Sequence, residues 1–119
     1  MVDDDDSMRA ALYRLLGVAG FDPKVYASAE ALLAEDADTQ AVCVVADLKL
    51  PGLSGLDLLA AMRARREQVP LILITAHDVP GQREESVRRG AASYLVKPFS
   101  GTELLETVNA VIASGAWKM

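Results

Sequence analysis

Two short runs of uninterrupted apolar residues stand out in the middle of the chain. The first covers Ala41 to Ala46 and ends in Asp47, and the second covers Leu71 to Ile74 and ends in Thr75. Runs of this length without polar alternation are typical of strands that are buried on both faces of a sheet. A third segment, Ser93 to Val96, has the β-branched and aromatic content of a last strand.

Apolar residues at helical spacing separate these runs, and capping signals mark where the helices begin. Four helices are predicted to start at a serine and one close to a proline, in chain order at Ser7, Ser28, Ser54, Pro80 and Ser100. Asp57 and Glu103 lie three residues after their serines and complete two capping boxes. In the segment from Pro80 to Arg89, Val87 is almost the only large apolar residue, which predicts a weakly anchored helix.

The order of these elements predicts the fold class. Strands alternate with helices, and Val2 and the pair Val25-Tyr26 supply two further short strand candidates. This order favours an α/β, doubly wound, five-stranded parallel sheet flanked by helices, with a first strand that is truncated. In such sheets the ligand site lies beyond the carboxyl ends of the strands, so function is sought there.

Composition and charge narrow the classes of function. A chain of 119 residues fits one domain, residues 1–119, and a net charge of −5 without a basic cluster argues against nucleic-acid contact by this domain. The single cysteine, Cys43, lies in an apolar run and suits a reducing cytoplasm. We find no export signal and no apolar stretch long enough for a membrane span, so we expect a cytoplasmic protein.

Polar residues of complementary chemistry follow each predicted strand. They are Asp3, Asp4, Asp47, Thr75 and Lys97. Carboxylates that converge at one sheet edge repel each other and need a cation to stay ionised, and Mg²⁺ suits a site made of oxygen ligands. With the repulsion relieved, Asp47 can attack a phosphoryl donor while the metal, Lys97 and the Thr75 hydroxyl share the charge on the transferred oxygens.

Other polar residues have simpler interpretations. Asp5 and Asp6 are interpreted as solvated charges at a helix N-terminus, where acidic residues are favoured. His77, the only histidine, is interpreted as a surface loop residue near the mouth of the site.

Four segments in order carry a resemblance to a known family. They run Val2-Asp3-Asp4-Asp5-Asp6-Ser7-Met8-Arg9, Ala46-Asp47-Leu48-Lys49-Leu50-Pro51-Gly52-Leu53-Ser54-Gly55, Ile74-Thr75-Ala76 and Tyr94-Leu95-Val96-Lys97-Pro98-Phe99. Together they resemble the successive signatures of response-regulator receiver domains in two-component signalling systems. The phrases Tyr26-Ala27-Ser28-Ala29-Glu30 and Val79-Pro80 resemble receivers of the FixJ type.

The resemblance implies a role for each residue at the strand ends. It implies Asp47 as phosphoacceptor assisted by Thr75 and Lys97, and a cis peptide bond between Lys97 and Pro98. It also implies a Mg²⁺ or Mn²⁺ ion held by Asp4 directly, by Asp3 mostly through water, by Asp47 and by the backbone carbonyl of Lys49.

The resemblance further implies a phosphorylation-dependent switch rather than an enzyme with a separate substrate. A sensor histidine kinase would donate the phosphoryl group, and Thr75 and Tyr94 would change conformation together. The output face would be formed by the fourth helix, fifth strand and fifth helix, and a homodimer through this face is a possible readout.

The start of the chain departs from the family pattern. Receivers usually have four or five apolar residues before the acidic pair, whereas only Met1-Val2 precede Asp3 here. Loss of a central strand would leave ladder groups unpaired and a void in the core. We therefore expect either a natural start upstream or a sheet completed unusually, for example by exchange between chains.

Two other classes of function are considered. Phosphatases of the haloacid-dehalogenase type also combine an aspartyl nucleophile with Thr, Lys and magnesium, but their Asp-x-Asp signature requires an acid where this chain has Lys49. A phosphorylation-independent receiver that serves as a scaffold or dimerisation module is the remaining alternative.

Overall fold

Helices and strands alternate along the chain in the computed structural model, which describes residues 2, 5–24, 26–34, 43–50, 52–65 and 69–114. Their bounds, in chain order, are α1 Asp6–Val18, α2 Ala29–Leu33, β1 Val44–Asp47, α3 Gly55–Ala64, β2 Leu71–Thr75, α4 Gln82–Arg88, β3 Ser93–Val96 and α5 Gly101–Ser114. The predicted alternation is confirmed within the described residues. Among these helices, none combines the length and apolar character needed to cross a bilayer.

The strands form a parallel sheet. Strand β2 lies in the centre of the β1-β2-β3 ladder, with Val44 opposite Leu71 and Ile72 opposite Ser93. Val2 forms parallel bridges both to Tyr26 and to Ala46. The order across the sheet is therefore Tyr26, Val2, β1, β2 and β3. Strands β1, β2 and β3 correspond to the third, fourth and fifth strands of the predicted doubly wound sheet.

Val2 occupies the central place in the sheet that is expected for the first strand. Its side chain is fully buried, its N–H donates to the Val45 carbonyl at 2.7 Å, and its carbonyl accepts from the Asp47 N–H at 2.9 Å. A residue of the same chain thus fills this position and satisfies ladder groups of β1. Met1, Asp3, Asp4 and Val25 lie outside the described residues.

Two apolar clusters cover the two faces of the sheet, because successive strand residues point to opposite sides. One face packs against α2 and α3 and includes Val44, Ala46, Leu71, Leu73, Leu58, Leu59, Met62 and Tyr94. The other packs against α1 and α5 and includes Val45, Ile72, Ile74, Leu12, Leu104, Val108 and Val111. Helices on both faces confirm the doubly wound arrangement.

Most of the predicted helix starts are confirmed, with one correction. The N-cap of α1 is Asp5 and not Ser7, because the Asp5 carboxylate accepts the backbone N–H groups of Ser7 and Met8. Ser28 caps α2. Ser54 caps α3 through a capping box whose hydrogen bonds lower the pKa of Asp57.

The buried face of α4 agrees with the predicted weak anchoring of this helix. Val87 is 54% exposed and does not anchor the helix, whereas Ser86 is fully buried and its hydroxyl donates to the Gln82 carbonyl at 2.8 Å. Gln82 and Ser86 lie four residues apart and therefore share one helix face, while Val87 is turned about 100° away from it. The buried face of α4 is consequently polar, which agrees with a helix that has few apolar anchors.

Candidate functional site

The centre of the candidate site is an ion pair between Asp47 and Lys97. Asp47 is the last residue of β1, and Lys97 directly follows β3. The Lys97 ammonium nitrogen lies 2.8 Å from Oδ2 of Asp47, and both side chains are largely buried, with exposed fractions of 16% and 10%. The structure therefore brings together the predicted phosphoacceptor and the predicted lysine, which are 50 residues apart in the chain. The peptide bond between Lys97 and Pro98 is cis, as predicted.

The second carboxylate oxygen of Asp47 binds the loop that follows β1. Oδ1 accepts the backbone N–H of Lys49 at 3.0 Å, and the N–H of Leu48 donates to the Ile74 carbonyl at 2.7 Å. These bonds fix the direction in which the chain leaves the strand and place the backbone of Lys49 beside the carboxylate.

Gly55 allows α3 to begin directly against the end of β1. Its N–H donates to the Leu48 carbonyl at 2.9 Å, and a Cβ atom at this position would lie 2.6 Å from the Asp47 carbonyl oxygen. Interiors are packed too densely to absorb such an approach without a backbone shift. The glycine thus lets the phosphoacceptor strand and α3 share one tight corner.

Glu30 of α2 contacts the same loop from the other side. Its Oε2 atom accepts the backbone N–H of Leu53 at 3.4 Å. Gly52 has a positive φ of 76°, and its missing side chain leaves space that the Glu30 carboxylate fills. The loop is therefore held by groups from β1, β2 and α2.

Thr75 ends β2 at the same sheet edge, but its hydroxyl binds its own loop. The side chain is buried, and Oγ1 both accepts the His77 N–H at 3.1 Å and donates to the His77 carbonyl at 3.2 Å. His77 itself is exposed, as the sequence predicted. Thr75 thus lies on the strand next to that of Asp47, and its hydroxyl is hydrogen-bonded to the segment that leads to α4.

Tyr94 of β3 is buried, and its phenol group is fully hydrogen-bonded. The phenol oxygen donates to Oδ1 of Asp78 at 2.9 Å and accepts from Nε2 of Gln82 at 2.6 Å. The guanidinium carbon of Arg83 lies 4.7 Å from the ring centre, within the range of a cation–π interaction. Burial, with the neighbouring Asp78, raises the pKa of Tyr94.

Sequence reasoning identified Tyr94 but missed the partners of its phenol group. Asp78, Gln82 and Arg83 carry no motif. The polarity of the segment from Pro80 to Arg89, which follows Asp78 and includes Gln82 and Arg83, predicts weak anchoring but no specific contact with Tyr94. In the structure, Gln82 and Asp78 form hydrogen bonds with the Tyr94 phenol group, and Arg83 packs over its ring. These polar contacts take the place of apolar packing between Tyr94 and the segment around α4.

Within the described residues, the oxygen atoms of Asp47 are suitable ligands for a hard divalent cation. A carboxylate offers about four lone-pair positions, and the Asp47 carboxylate uses one oxygen for Lys97 and the other for the Lys49 N–H. Capacity for a metal ion therefore remains on both oxygens. The two other predicted ligands, Asp3 and Asp4, lie outside the described residues, and within the described ranges no group of three His, Cys, Asp or Glu side chains gathers.

Comparison with known proteins identifies the family. The sequence profile described as "Response regulator receiver domain" matches residues 1–109. The chain belongs to the response regulator receiver domain family. The receiver domain is 36% identical over 113 residues to the transcriptional regulatory protein FixJ of Bradyrhizobium diazoefficiens, covering 94% of this chain and 55% of that protein.

Further relatives support the same assignment. The receiver domain is 37% identical over 116 residues to the sensory transduction protein RegX3 of Mycolicibacterium smegmatis, covering 98% of this chain and 50% of that protein. The crystal structure of FixJ-N superposes with a TM-score of 0.86 at 33% identity, covering 94% of this chain and 90% of that one. The receiver domain thus has the flavodoxin-like receiver fold and spans about half the length of these two curated relatives.

Proposed function

We propose that this receiver domain is a phosphorylation-dependent switch in which Asp47 accepts a phosphoryl group from a sensor histidine kinase or a small phosphodonor. Membership of the family makes it a receiver domain of a two-component system. The observation that supports phosphoryl transfer best is the largely buried ion pair of Asp47 and Lys97 at the carboxyl edge of the sheet. A carboxylate at that edge can act as a nucleophile, and the adjacent ammonium can stabilise the negative charge on the transferred phosphoryl oxygens.

The chemistry follows from the positions of these groups. A carboxylate oxygen of Asp47 attacks the phosphorus atom, the bond from phosphorus to the donor breaks, and the bond's electron pair leaves with the donor. The product is an acyl phosphate, and Lys97 transfers its hydrogen bond from the carboxylate to a phosphoryl oxygen. The protein then promotes only its own phosphorylation and dephosphorylation and is not an enzyme with a separate substrate.

A divalent cation, Mg²⁺ or Mn²⁺, completes this proposal. When bound, it would neutralise part of the charge on the carboxylates and on the phosphoryl oxygens. Asp3, Asp4, Asp47 and the backbone carbonyl of Lys49 would hold it. The hydrogen bond from the Lys49 N–H to Asp47 keeps that loop beside the carboxylate, which is what a shared metal would require.

The signal would leave the site through Thr75 and Tyr94. New acceptor oxygens on Asp47 would draw the Thr75 hydroxyl away from His77, and the loop from residue 76 to 81 would then move toward the site. Tyr94 packs under this loop and under α4 and would change its rotamer with them.

A homodimer through α4, β3 and α5 is the readout that the described surface favours. Val79 and Val87 are 51% and 54% exposed on or beside α4, so an apolar contact is available. Glu85 already forms ion pairs within the helix with Arg88 at 2.6 Å and Arg89 at 2.8 Å, so mixed charges surround that contact. Sedimentation with and without a phosphoryl mimic tests this readout, and an unchanged mass would exclude it.

The proposed phosphoryl site can be tested with beryllofluoride, which binds carboxylates as a phosphoryl mimic. Fluorine NMR of the wild type should show a bound signal that requires Mg²⁺ and disappears in Asp47→Ala. Asp22→Ala, which removes an exposed carboxylate elsewhere, is the matched control and should bind as the wild type does. A bound signal that persists in Asp47→Ala, or its absence from the wild type, would refute the proposal.

A further inference from the structure

We propose that Glu30 is a positioning residue for the divalent cation, because its carboxylate holds the loop from residue 48 to 54 in the place that the metal site requires. The inference rests on the proposed phosphoryl site and deepens it, since that loop carries the Lys49 carbonyl that the proposal gives to the cation. Glu30 lies on α2 and acts through the loop, not as a ligand of the metal.

The Glu30 carboxylate contacts the loop at two neighbouring residues. Its Oε2 atom accepts the backbone N–H of Leu53 at 3.4 Å. The same oxygen fills the space in which a side chain at Gly52 would begin, and the carboxyl carbon would lie 3.2 Å from a Cβ atom there. Gly52 has a φ of 76°, a conformation that glycine adopts readily. The carboxylate therefore lies directly against the loop backbone, at a point that a missing side chain leaves open.

A hydrogen bond near each end holds the described part of this loop. At its start the Lys49 N–H donates to Oδ1 of Asp47 at 3.0 Å, and near its end the Leu53 N–H donates to Glu30. Between and beside these bonds, the side chains of Leu50 and Leu53 pack against the apolar cluster that α2 and α3 cover. The Lys49 carbonyl lies between the two hydrogen-bonded points, so its position depends on both of them.

Helix α2 is short, but its contacts hold Glu30 in a fixed place. Ser28 caps the helix through its side chain, and Ala29 is fully buried in the core. At the other end of the helix, the guanidinium of Arg65, which follows α3, donates to the Leu33 carbonyl at 2.8 Å. The carboxylate thus reaches the loop from a helix whose far end is bonded to the end of α3.

A fixed carbonyl matters for Mg²⁺ because this ion requires nearly ideal octahedral geometry. A loop that is already held in place loses less conformational freedom when the ion binds, so more of the interaction contributes to affinity. Without the Glu30 carboxylate, the Lys49 carbonyl would sample positions that the ion cannot use, and the fraction of molecules competent to bind would fall. Leu50 and Leu53 would still pack against the core, so we expect the stability of the domain to change little.

The proposal predicts the Mg²⁺ affinity of three variants. Glu30→Ala should weaken Mg²⁺ binding about three- to tenfold, as expected for loss of one hydrogen bond that holds the loop. Glu30→Gln keeps an acceptor oxygen and should stay within about twofold of the wild type, because an exposed charge is screened by salt and water. Glu84→Ala removes the same charge from the first turn of α4 and, as the matched control, should bind Mg²⁺ as the wild type does. Titration with Mg²⁺ alone, followed by the NMR signals of the Asp47 and Leu48 backbone amides, measures these affinities.

The contact itself is measured by hydrogen exchange of the Leu53 amide. This exchange should be about three- to tenfold faster in Glu30→Ala than in the wild type. Gly52→Ala gives an independent check, because its Cβ atom would displace the Glu30 carboxylate. It should weaken Mg²⁺ binding in the wild type and have a smaller effect in the Glu30→Ala background, since the strain at positive φ is common to both.

The outcomes separate this role of Glu30 from the proposed metal site. Equal Mg²⁺ affinity of Glu30→Ala and the wild type, or an unchanged Leu53 exchange rate, would overturn the role of Glu30 alone. Equal weakening in Glu30→Gln and Glu30→Ala would also overturn it, because the charge and not the held loop would then be responsible. A wild type that binds no Mg²⁺ would overturn the metal site together with this role.

Discussion

At the scale of single residues, Asp47 and Lys97 illustrate what a sequence can reveal about a site. Both were predicted because they follow strands of a parallel sheet, and the carboxyl ends of such strands meet at one edge. Their 2.8 Å contact agrees with that reasoning. The partners of Tyr94 were not predicted, because their hydrogen bonds depend on how α4 lies against β3. A helix with hardly any apolar residue does not determine that angle through its sequence pattern.

The ion pair predicts opposite effects of one substitution on metal binding and on phosphoryl transfer. In Lys97→Met the ammonium no longer competes for the Asp47 carboxylate, so Mg²⁺ should bind about three- to tenfold more tightly, as expected for loss of an interaction of about 1 kcal/mol. The phosphorylation rate should fall by roughly 100-fold, because a preorganised charge at the transferred oxygens is lost.

Metal titration and the rate of reaction with a small phosphodonor measure the two effects. Lys97→Arg keeps the charge and should change metal affinity little. Weaker Mg²⁺ binding in Lys97→Met, or an unchanged rate, would show that the lysine has a different role.

At the scale of elements, the sequence predicts the start of a helix well where a single capping residue is available. Ser28 and Ser54 stand alone at their helix starts and were identified correctly. At α1, several capping residues follow one another, and Asp5 rather than Ser7 has the extended backbone from which its side chain reaches two N–H groups. The sequence does not predict which face of α4 is buried, because Val87 is almost its only large apolar residue and this residue is exposed.

The corner between β1 and α3 gives a prediction about a single methyl group. Gly55→Ala should lower the free energy of unfolding by about 1–3 kcal/mol, because the added Cβ would meet backbone atoms of Asp47 and Leu48 at 2.6 and 3.0 Å. Gly17→Ala, within α1 and with open space around it, should instead raise that free energy by about 0.5–1 kcal/mol. Urea denaturation of both variants checks the pair, and equal effects would contradict the close approach at Gly55.

At the scale of the whole molecule, the sheet order depends on one residue near the start of the described chain. The sequence predicted five strands and a weakness at the first, but it did not show how the gap between the second and third strands would be filled. Val2 fills it with a buried side chain and two backbone hydrogen bonds to β1. The two apolar residues that precede the acidic run, Met1 and Val2, are too few for a periodic pattern, since periodicity needs several positions to be visible.

Val2 should therefore matter far more for stability than its place in the chain suggests. Val2→Ala removes two buried methyl groups and should cost about 1–3 kcal/mol of unfolding free energy. Val18→Ala is the matched control, because Val18 is 91% exposed, and it should change stability by less than about 0.5 kcal/mol. Thermal or urea unfolding measures both, and a neutral Val2→Ala would mean that the core does not depend on the buried Val2 side chain.

The central claim is that Asp47 is the phosphoacceptor of this receiver domain, and intact-mass spectrometry tests it most directly. After incubation with a small phosphodonor and Mg²⁺, the wild type should gain the mass of one phosphoryl group, and the label should be lost on addition of hydroxylamine, which cleaves acyl phosphates. Asp47→Ala should gain nothing, while Asp22→Ala should be labelled as the wild type is. Labelling that persists in Asp47→Ala, or a wild type that remains unlabelled, would contradict the account.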